Sequence, residues 1–438
     1  MAFNPQHETP HSHGHHGHED MLEVEQALSL ILQHFSILNR ETKPILEAIG
    51  QTLAEDIIAP FNIPPMPNSA MDGYAVRSVD IKGATNSNPK YLKVIGQVAA
   101  GKLPTQMLTE GTAVRIMTGA PTPNGTDVII PFEDTDELER SVSAANSNFI
   151  GVKFELIKGS NVRPMGGDIT QGETVLKQGL VLGPTEIGVL ASVGQANVNV
   201  IRRPVVSILA TGDEILTPGQ PIEPGKIFDS NSFSLSAAVM KYGGTPHQLG
   251  IAADNIITTK NKVMEGLDGD FLITSAGVSK GDYDLVKDVL KELGEIEFWS
   301  VRMRPGKPLA FGRLHAKNGN WIPIVGLPGN PVSALVAFEQ FCRPAILKML
   351  GRSKFVKPTI DATIQHPIFN TDGRRVYARV LVTREQDGYH AHLTGSQESN
   401  VLTSLLKANG LAICPANVRQ LDAGQIVRVQ MLDWPEEM

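Results

Sequence analysis

Four loops in the middle of the chain combine small residues with carboxylates and amides. They are TGDE at 211–214, DSN at 229–231, SAGVSKGD at 275–282 and PGNPVS at 328–333. Small residues let backbone N–H groups approach a phosphate, and carboxylates can hold Mg²⁺ through its water ligands. The loops therefore predict a site for a phosphate and a metal ion, although Gly-rich turns can also merely connect strands to helices.

The last of these loops also predicts the start of a helix. Asn330 suits the N-cap position and Pro331 suits the first helical position. The first N–H groups of a helix have no acceptor inside the helix and carry partial positive charge. We therefore expect the N–H groups of Val332 and Ser333 to face an anion.

Three cations flank a Pro-Gly turn in the segment RMRPGKP at 302–308. The prolines restrict the backbone, so Arg302, Arg304 and Lys307 are expected to be held in place. An oxyanion is a suitable partner for cations that are held in this way. The alternative is a solvated face, which is the usual role of a charge run.

Three further turns with polar tips lie nearer the N-terminus. They are MPNSAMDGYAVR at 66–77, RIMTGA at 115–120 and RPMGGD at 163–168. Each combines Gly with polar side chains, as turns commonly do. Their residue types alone do not connect them to the four loops.

The four loops lie in a segment where apolar strands alternate with helices. Apolar runs at 205–210, 271–274 and 322–326 each precede a Gly-rich loop. This alternation is typical of βαβ units. It predicts a doubly wound parallel α/β sheet over 204–351, with ligands beyond the carboxyl ends of its strands.

The flanking segments have other periodicities. Helical spacing of apolar residues predicts helices at 22–38 and 42–57. Short alternating segments predict a small β domain over about 68–168, and mixed pieces at 175–200 are expected to return to the first helices. Renewed alternation after residue 357 predicts a C-terminal β barrel or sandwich.

Composition limits the classes of function. The 438 residues predict roughly two to four domains, and 41% hydrophobic with 19% charged residues is typical of a globular protein. A net charge of −7 argues against a nucleic-acid binder. No apolar leader is visible and no stretch approaches the roughly 18 uncharged apolar residues of a membrane span, so we expect a cytoplasmic protein without membrane association.

The cysteines and the N-terminal histidines are the remaining local signals. Cys342 and Cys414 lie far apart and match no metal spacing, so we expect buried thiols. The first 20 residues predict a disordered tail, which could bind zinc, nickel or copper weakly or have no role. Its histidines are His7, His11, His13, His15, His16 and His18.

The motifs, taken in order, resemble those of the MoeA family of molybdopterin molybdenumtransferases, whose relatives include the E domain of gephyrin. The resemblance covers nearly everything after residue 20. It is carried by PNSAMDGYA at 67–75, IMTGAP at 116–121, RPMGGD at 163–168, ATGDE at 210–214, DSN at 229–231, SAGVSKGD at 275–282, RPGKP at 304–308 and GLPGNPVSA at 326–334.

The resemblance implies a multidomain α/β plus β protein that forms an elongated homodimer. In the family, the α/β loops and barrel of one subunit face the β domain of the other. The implied parts are a disordered His-rich tail at 1–20, a helical linker domain at 21–57 and 173–203, a β domain at 58–172, an α/β molybdopterin-binding domain similar to molybdopterin adenylyltransferases at 204–351, and a β barrel at 352–438.

The implied activity is insertion of molybdate into adenylylated molybdopterin, with release of AMP and with Mg²⁺ as the cofactor. Transient contacts with molybdopterin adenylyltransferase and with apo-molybdoenzymes are also expected. One alternative is a molybdopterin adenylyltransferase, whose fold and loops are similar, although the extra domains speak against it. The other is a non-catalytic dimeric scaffold.

The resemblance also assigns roles to residues. The implied catalytic carboxylates are Glu214, Asp254, Asp282 and Asp284, and all of these except Asp282 would hold the metal. Molybdate would be held by Arg304, Lys307, Ser333, Arg379 and Ser399. The implied substrate-binding residues are Asp72, Thr118, Asp168, Thr211, Gly212, Asp213, Ser275, Gly277, Ser279, Gly281, Pro328, Gly329, Asn330 and Ser333.

The sequence departs from the family pattern in two places. Ala276 stands where the family usually has Gly, and it costs about 1 kcal/mol if this position needs a positive φ. Ser300 and Arg304 stand where many members carry lysines, so the charge is kept at Arg304 and lost at Ser300, and Arg302 is the candidate to compensate. Within the phosphate loop, Lys280 is expected to add a contact to the pyrophosphate.

Overall fold

The structure is a computed structural model that describes residues 21–139, 148–253, 255–275 and 285–435, without the side chains of 285–288 and 298. Contacts divide the chain into two compact units. The first comprises the residues up to Thr42, Gly50–Thr52 and everything from Asn199 onward. The second comprises Lys43–Ile49 and Leu53–Val198.

The chain begins with helix α1 (Val24–Leu32), followed by strand β1 (Arg40–Pro44) and a 3₁₀ helix at Ile45–Ala48. The helix predicted over 22–38 is therefore present but shorter. The helix predicted over 42–57 is wrong. Pro44 lacks the N–H that a helix interior needs, and Gly50 has a φ of 77°, a conformation that ends helices.

The second unit is built on a five-stranded sheet in the order β7-β4-β6-β5-β8. The strands of this sheet are β4 (Gly73–Val76), β5 (Lys90–Val98), β6 (Thr112–Ile116), β7 (Val128–Pro131) and β8 (Phe149–Val152). Two separate strand pairs are formed by β2 (Ile57–Ile58) with β10 (Thr174–Leu176) and by β3 (Asn68–Ser69) with β9 (Val162–Arg163). Helix α2 (Pro184–Ser192) follows, and β11 (Asn197–Ile201) pairs with β1. The predicted β domain is confirmed as a β-rich segment.

Both faces of this small sheet are buried. Tyr74 and Val76 of β4 pack into one apolar cluster with Ile130, whereas Ala75 packs into another with Ile129. Successive side chains of a strand point to opposite faces, so each face has its own core. Strand β4, which lies between β7 and β6, is buried at every position.

The first unit contains a six-stranded sheet in the order β15-β12-β16-β20-β19-β17. Its strands are β12 (Val205–Thr211), β15 (Thr245–Ala252), β16 (Phe271–Ser275), β17 (Gly294–Ser300), β19 (Pro308–His315) and β20 (Trp321–Leu327). The short strands β13 (Ile215–Leu216), β14 (Ile227–Phe228) and β18 (Met303–Arg304) lie outside this sheet. The three strands predicted from apolar runs are confirmed.

The prediction of a wholly parallel sheet needs correction. Strands β15, β12, β16 and β20 are parallel, whereas β19 pairs antiparallel with both β20 and β17. The connection from β19 to β20 is a tight turn, closed by a hydrogen bond from Ala316 N to Asn320 O. So short a connection can join only antiparallel strands.

Helices cover both faces of the sheet, as the predicted doubly wound fold requires. They are α3 (Asn231–Lys241), α4 (Ile256–Gly266), α5 (Leu285–Leu293), α6 (Pro331–Ala337) and α7 (Arg343–Met349), with a π-helical turn at Phe338–Cys342. Leu235 of α3 and Ala337 of α6 pack in one cluster, together with Ile31 of α1. Val263 of α4 and Leu290 of α5 pack in a second cluster.

The C-terminal segment closes into a five-stranded barrel, which decides between the predicted barrel and sandwich. The barrel order is β23-β24-β21-β27-β25, and β25 pairs back with β23. Its elements and their neighbours are β21 (Thr359–Ile364), β22 (Ile368–Phe369), β23 (Arg375–Glu385), β24 (Gly388–Leu393), α8 (Leu402–Leu406), β25 (Gly410–Cys414), β26 (Gln420–Leu421) and β27 (Ile426–Met431). Small side chains such as Ala362, Ala391 and Ala412 fill the interior.

Two further expectations concern thiols and membranes. Cys342 and Cys414 are buried free cysteines, and burial raises the pKa of both thiols. Among the described residues, none of the helices combines the length and the apolar character that crossing a bilayer requires.

Candidate functional site

The four predicted loops leave or adjoin the parallel strands of the first unit. Strands β12, β16 and β20 are neighbours and parallel, so their carboxyl ends meet at one edge of the sheet. A cavity of about 800 Å³ lies there, and we call it the loop cavity. It is lined by Glu214, Ile215, Ile227, Phe228, Asp229, Ser230, Asn231, Ser275, Pro308, Pro328, Gly329, Asn330, Pro331, Asn400 and Leu402.

Asn231 ties three of the loops together. Its Nδ2 donates to Ser275 Oγ at 2.7 Å and to Gly329 O at 2.8 Å. Its Oδ1 is buried and has no hydrogen-bond partner among the described residues. A buried amide oxygen without a donor is costly, so this atom is suited to a ligand.

The TGDE loop is shaped by one glycine. Gly212 has a φ of 139°, and a Cβ there would lie 2.5 Å from Glu214 Oε2. The carboxylate thus folds back over its own turn, and the positive φ of Gly212 is a backbone conformation that favours glycine. Of the four predicted residues in this loop, Glu214 lines the cavity, whereas Thr211, Gly212 and Asp213 do not. The carbonyl of Asp213 instead accepts from Lys226.

A second cavity of about 440 Å³ contains all five predicted molybdate-binding residues, and we call it the cation cavity. The predicted residues are Arg304, Lys307, Ser333, Arg379 and Ser399. Residues that the sequence analysis missed complete the lining, namely Pro305, Gly306, Pro308, Arg374, Val376, Tyr377, Gln397 and Glu398. The RR pair at 374–375 was a visible signal of positive charge, but its place beside the RPGKP turn follows only from the pairing of β18 with β23.

Arg304 and Arg374 are fixed through Asp372. Arg304 donates to Phe369 O at 2.5 Å and lies 3.6 Å from Asp372. Arg374 Nε donates to Asp372 Oδ2 at 3.0 Å. Burial raises the pKa of Asp372, but the hydrogen bond from Arg374 and the charges of both arginines outweigh it and lower the pKa overall. The carboxylate therefore offsets part of the positive charge.

Arg379 is the most deeply buried cation of this cavity, with 1% of its surface exposed. Its Nε donates to Ser404 Oγ at 3.2 Å, and its Nη2 donates to the carbonyls of Ser396 and Glu398 at 3.2 and 3.0 Å. Burial lowers its pKa to about 10. Arg379 thus fixes the backbone that carries Ser399, and it leaves Nη1 as its remaining donor group.

Lys307 differs from the arginines because it is exposed and its ammonium makes no hydrogen bond or ion pair within the described ranges. Arg302, the candidate to compensate for Ser300, does not line the cavity. Its Nε lies 2.7 Å from Glu23 Oε1, so its charge is paired at the start of α1. The expected compensation by Arg302 is therefore wrong.

The two cavities adjoin each other. Pro308 lines both, and Nδ2 of Asn330 from the loop cavity donates to Ser399 Oγ of the cation cavity at 2.9 Å. The N–H of Val332 donates to Ser399 O at 3.1 Å, so it does not face an anion as expected. Glu214 and Arg304 therefore line neighbouring cavities rather than a single one.

Three predicted residues lie in the second unit. Asp72 Oδ1 accepts from the N–H of Thr118 at 2.6 Å and from its hydroxyl at 2.9 Å. These bonds lower the pKa of Asp72. The N–H of Asp168 donates to Ile63 O at 3.0 Å, and no hydrogen bond joins Asp168 to Asp72 among the described residues.

Several predicted residues lie outside the described residues. These are the tail histidines together with Asp254, Ala276, Gly277, Ser279, Lys280, Gly281, Asp282 and Asp284. Their assignments stay predictions. The phosphate loop is thus described only through Ser275, which ends β16 and lines the loop cavity.

Comparison with known proteins assigns a family to almost the whole chain. The model of the MoeA N-terminal region (domain I and II) matches residues 22–194. A probable molybdopterin binding domain matches 207–348, and the MoeA C-terminal region (domain IV) matches 361–432. The matched ranges contain both cavities' predicted residues.

Individual relatives agree with the family models. A Mycobacterium tuberculosis protein named molybdopterin molybdenumtransferase 2 is 36% identical over 89% of this chain and 94% of its own length. A Haemophilus influenzae molybdopterin molybdenumtransferase is 35% identical over 94% and 98%. The crystal structure of a molybdopterin biosynthesis moeA protein from Pyrococcus horikosii has a TM-score of 0.78 and 34% identity, covering 94% of this chain and 100% of that one. The chain therefore belongs to the MoeA family of molybdopterin molybdenumtransferases.

Proposed function

We propose that the chain inserts molybdate into adenylylated molybdopterin and releases AMP. Its class is that of its relatives, a transferase of molybdenum cofactor biosynthesis that acts on molybdopterin. The observation that carries the proposal is the cation cavity beside the loop cavity, joined by the bond from Asn330 to Ser399. A nucleotide phosphate and an inorganic oxyanion can then be bound side by side.

The cation cavity has the donors that molybdate needs. Lys307 supplies an ammonium that has no partner in the described part of the chain, and Arg379 supplies Nη1 from a guanidinium whose Nε and Nη2 are fixed. Because Ser399 Oγ accepts from Asn330, its own proton is free to bind an oxygen of the substrate. A fixed guanidinium and a nearby ammonium supply charge-assisted donors, which favour a compact dianion.

The loop cavity has a donor set that fits Mg²⁺. Oxygen donors around this cavity are the carboxylates of Glu214 and Asp229 and Oδ1 of Asn231, which has no partner among the described residues; Oδ1 of Asp229 also accepts from the N–H of Ser232 at 2.9 Å. Hard cations such as Mg²⁺ prefer such ligands and keep several waters. When bound, Mg²⁺ would neutralise charge on the phosphoryl oxygens and so favour hydrolysis of the phosphoanhydride, in which a water oxygen replaces the bridging oxygen on phosphorus and AMP leaves. Predicted ligands Asp254 and Asp284 would complete the set.

The protein's own contribution is position and charge. Backbone at Gly329 and the fixed amide of Asn231 would orient the phosphates, while Lys307 and Ser399 would hold molybdate next to the dithiolene. Bringing the two reactants together in adjoining cavities removes the entropy cost of a separate encounter.

One assay separates this function from its alternatives. We expect AMP, but no pyrophosphate, when the protein receives adenylylated molybdopterin, molybdate and Mg²⁺. Pyrophosphate formed from ATP and molybdopterin would instead indicate an adenylyltransferase. If the protein formed neither AMP nor pyrophosphate, it would be a non-catalytic scaffold. Among the described residues, no feature favours either the adenylyltransferase or the scaffold.

The cation cavity is tested by Lys307→Gln. Because a hydrogen bond to a charged group contributes about 1.5–3 kcal/mol, the variant should raise the KM for molybdate by about 10- to 100-fold. The control is Lys317→Gln, which removes an exposed ammonium from the turn between β19 and β20. Equal molybdate dependence in the two variants would contradict the assignment.

The homodimer, the transient contacts with partner enzymes and the cytoplasmic location are proposals from the family resemblance. The dimer has a direct functional consequence, because the family arrangement would place Asp72, Thr118 and Asp168 of one subunit opposite the cavities of the other. This would explain why predicted substrate contacts occur in both units.

A further inference from the structure

Three possible metal ligands converge at the hairpin between β23 and β24, and we call them the hairpin cluster. They are Glu385, Asp387 and His390, whose ligand atoms all lie within 4.8 Å of one another. Nε2 of His390 lies 2.8 Å from Asp387 Oδ1 and 4.0 Å from Glu385 Oε2. All three residues belong to one short hairpin, so the grouping is local.

Strand register explains the convergence. Glu385 ends β23 and pairs with Gly388, while His390 pairs with Thr383. Alternation along a strand puts Thr383 and Glu385 on one face, together with His390 on the paired strand. Asp387 lies in the turn between the strands and reaches the same face. The hairpin itself therefore sets the spacing of the three ligands.

The second nitrogen of His390 also has a partner. Its Nδ1 lies 2.8 Å from Nε2 of Gln365, and only 12% of the His390 side chain is exposed. A metal on Nε2 needs the ring proton on Nδ1, so the Gln365 amide would have to turn by 180° to present Oε1, and its Nε2 would give up the bond that it donates to Thr363 O at 3.3 Å. Such an outer partner is the usual way of orienting a histidine ligand.

No cation neutralises the two carboxylates. In the part of the chain that the structure describes, their only ion-pair partner is His390. The neighbouring Arg384 lies over the ring of Tyr389, at 6.0 Å from its centroid. Arg384 and Tyr389 are cross-strand partners, one position along from the pairs that contain Glu385 and His390. Side chains alternate between faces along a strand, so this pair lies on the opposite face of the hairpin. With a neutral ring, the cluster therefore carries two negative charges.

We propose that the hairpin cluster binds one divalent transition-metal ion, such as Zn²⁺, separately from the site for Mg²⁺. An imidazole nitrogen with two carboxylates suits zinc and its neighbours, whereas Mg²⁺ favours oxygen ligands alone. Glu385 lies six positions after Arg379 along β23, which corresponds to roughly 20 Å. The ion thus fastens the end of the hairpin and does not reach the cation cavity.

The test is zinc binding by the full chain, after treatment with a chelator, measured by titration calorimetry with ZnCl₂. Asp387→Asn and His390→Asn should each bind one zinc ion fewer per chain than the wild type. The control is His392→Asn, which removes an imidazole from the same face of β24 but leaves the cluster intact. Histidines of the N-terminal tail are present in every variant, so they cancel in the comparison.

Two further measurements make the result specific. Gln365→Leu should weaken zinc binding at this site by about 10- to 100-fold, as the loss of an outer partner does. A crystal soaked in ZnCl₂ should show an anomalous peak between the three side chains. If Asp387→Asn binds as many zinc ions as the wild type with unchanged affinity, or if the peak is absent from the hairpin, the proposal is overturned. Melting without metal checks that each variant folds.

Discussion

Among single residues, Arg379 combines two roles that a sequence motif cannot separate. The family resemblance names it a molybdate ligand, and it lines the cation cavity. Its Nε and Nη2 are committed to Ser404, Ser396 and Glu398. A ligand that also holds the loop around it should affect both stability and binding when it is changed.

We therefore predict that Arg379→Met destabilises the first unit by at least about 3 kcal/mol, because several buried acceptors lose a charged donor. Urea denaturation followed by circular dichroism measures this loss. The control is Arg419→Met, an exposed arginine of the same barrel, which should change stability by less than about 0.5 kcal/mol. Equal stability of the two variants would show that the three hydrogen bonds of Arg379 contribute little.

Asp72 gives a prediction about pH. The N–H and hydroxyl of Thr118 lower its pKa, so this interaction stabilises the fold above the unfolded-state pKa and is lost as the pH falls through the folded-state pKa. Thr118→Val removes the hydroxyl donor and keeps the N–H, so the pKa of Asp72 should rise part of the way to its ordinary value.

A ¹³C NMR titration of the side-chain carboxylates measures that pKa. Thr170→Val serves as the control, since its hydroxyl contacts Gly166 O and makes no bond to Asp72. An Asp72 midpoint that is the same in the wild type and in Thr118→Val would contradict the attribution to the hydroxyl.

Secondary-structure elements differ in how well their sequences predicted them. The buried strands β12, β16 and β20 were visible as apolar runs before Gly-rich loops, because strands covered on both faces are apolar throughout. The segment 42–57 has helical apolar spacing but forms β1 and a 3₁₀ helix. There the backbone demands of Pro44 and Gly50 prevail over the spacing of the side chains.

The sequence predicted site residues that lie within one motif but not those that reach the site through distant parts of the chain. Motifs within one loop, such as RPGKP, identified Arg304 and Lys307, and the structure places both in the cation cavity. Arg374 was missed because it reaches that cavity only through the pairing of β18 with β23, about seventy residues apart in sequence. The prediction for Arg302 was wrong because its ion-pair partner, Glu23, precedes it by 279 positions in the sequence.

Strand β4 of the second unit supports a steric prediction. A Cβ at Gly73 would lie 1.9 Å from Ile130 O in the neighbouring strand, whereas a Cβ at Gly188 of α2 would meet nothing within 4 Å. Gly73→Ala should therefore destabilise this unit by about 1–3 kcal/mol or more. Gly188→Ala should instead stabilise it by about 0.5–1 kcal/mol, because Ala favours the helix. Thermal melting of both variants measures these changes. A melting temperature that Gly73→Ala leaves unchanged would show that β4 can move away from β7.

On the scale of the whole molecule, the proposed dimer makes each active site depend on two subunits. Glu214→Gln and Asp72→Asn should each be inactive alone, because they remove a carboxylate from the first and from the second unit. Co-expression of the two variants should restore about a quarter of wild-type AMP release, since half of the randomly formed dimers are mixed and each has one intact site of two. No restoration would mean that both residues serve the same subunit's site.

The proposed function requires that the two adjoining cavities bind molybdate and a nucleotide phosphate. A crystal of the full chain soaked with molybdate and AMP, measured with anomalous scattering from molybdenum, tests this in one measurement. We predict molybdenum in the cation cavity beside Lys307 and Ser399, with the AMP phosphate in the loop cavity beside Gly329. Molybdenum bound elsewhere while the cation cavity stays unoccupied, or AMP bound away from the loop cavity, would contradict the proposed function.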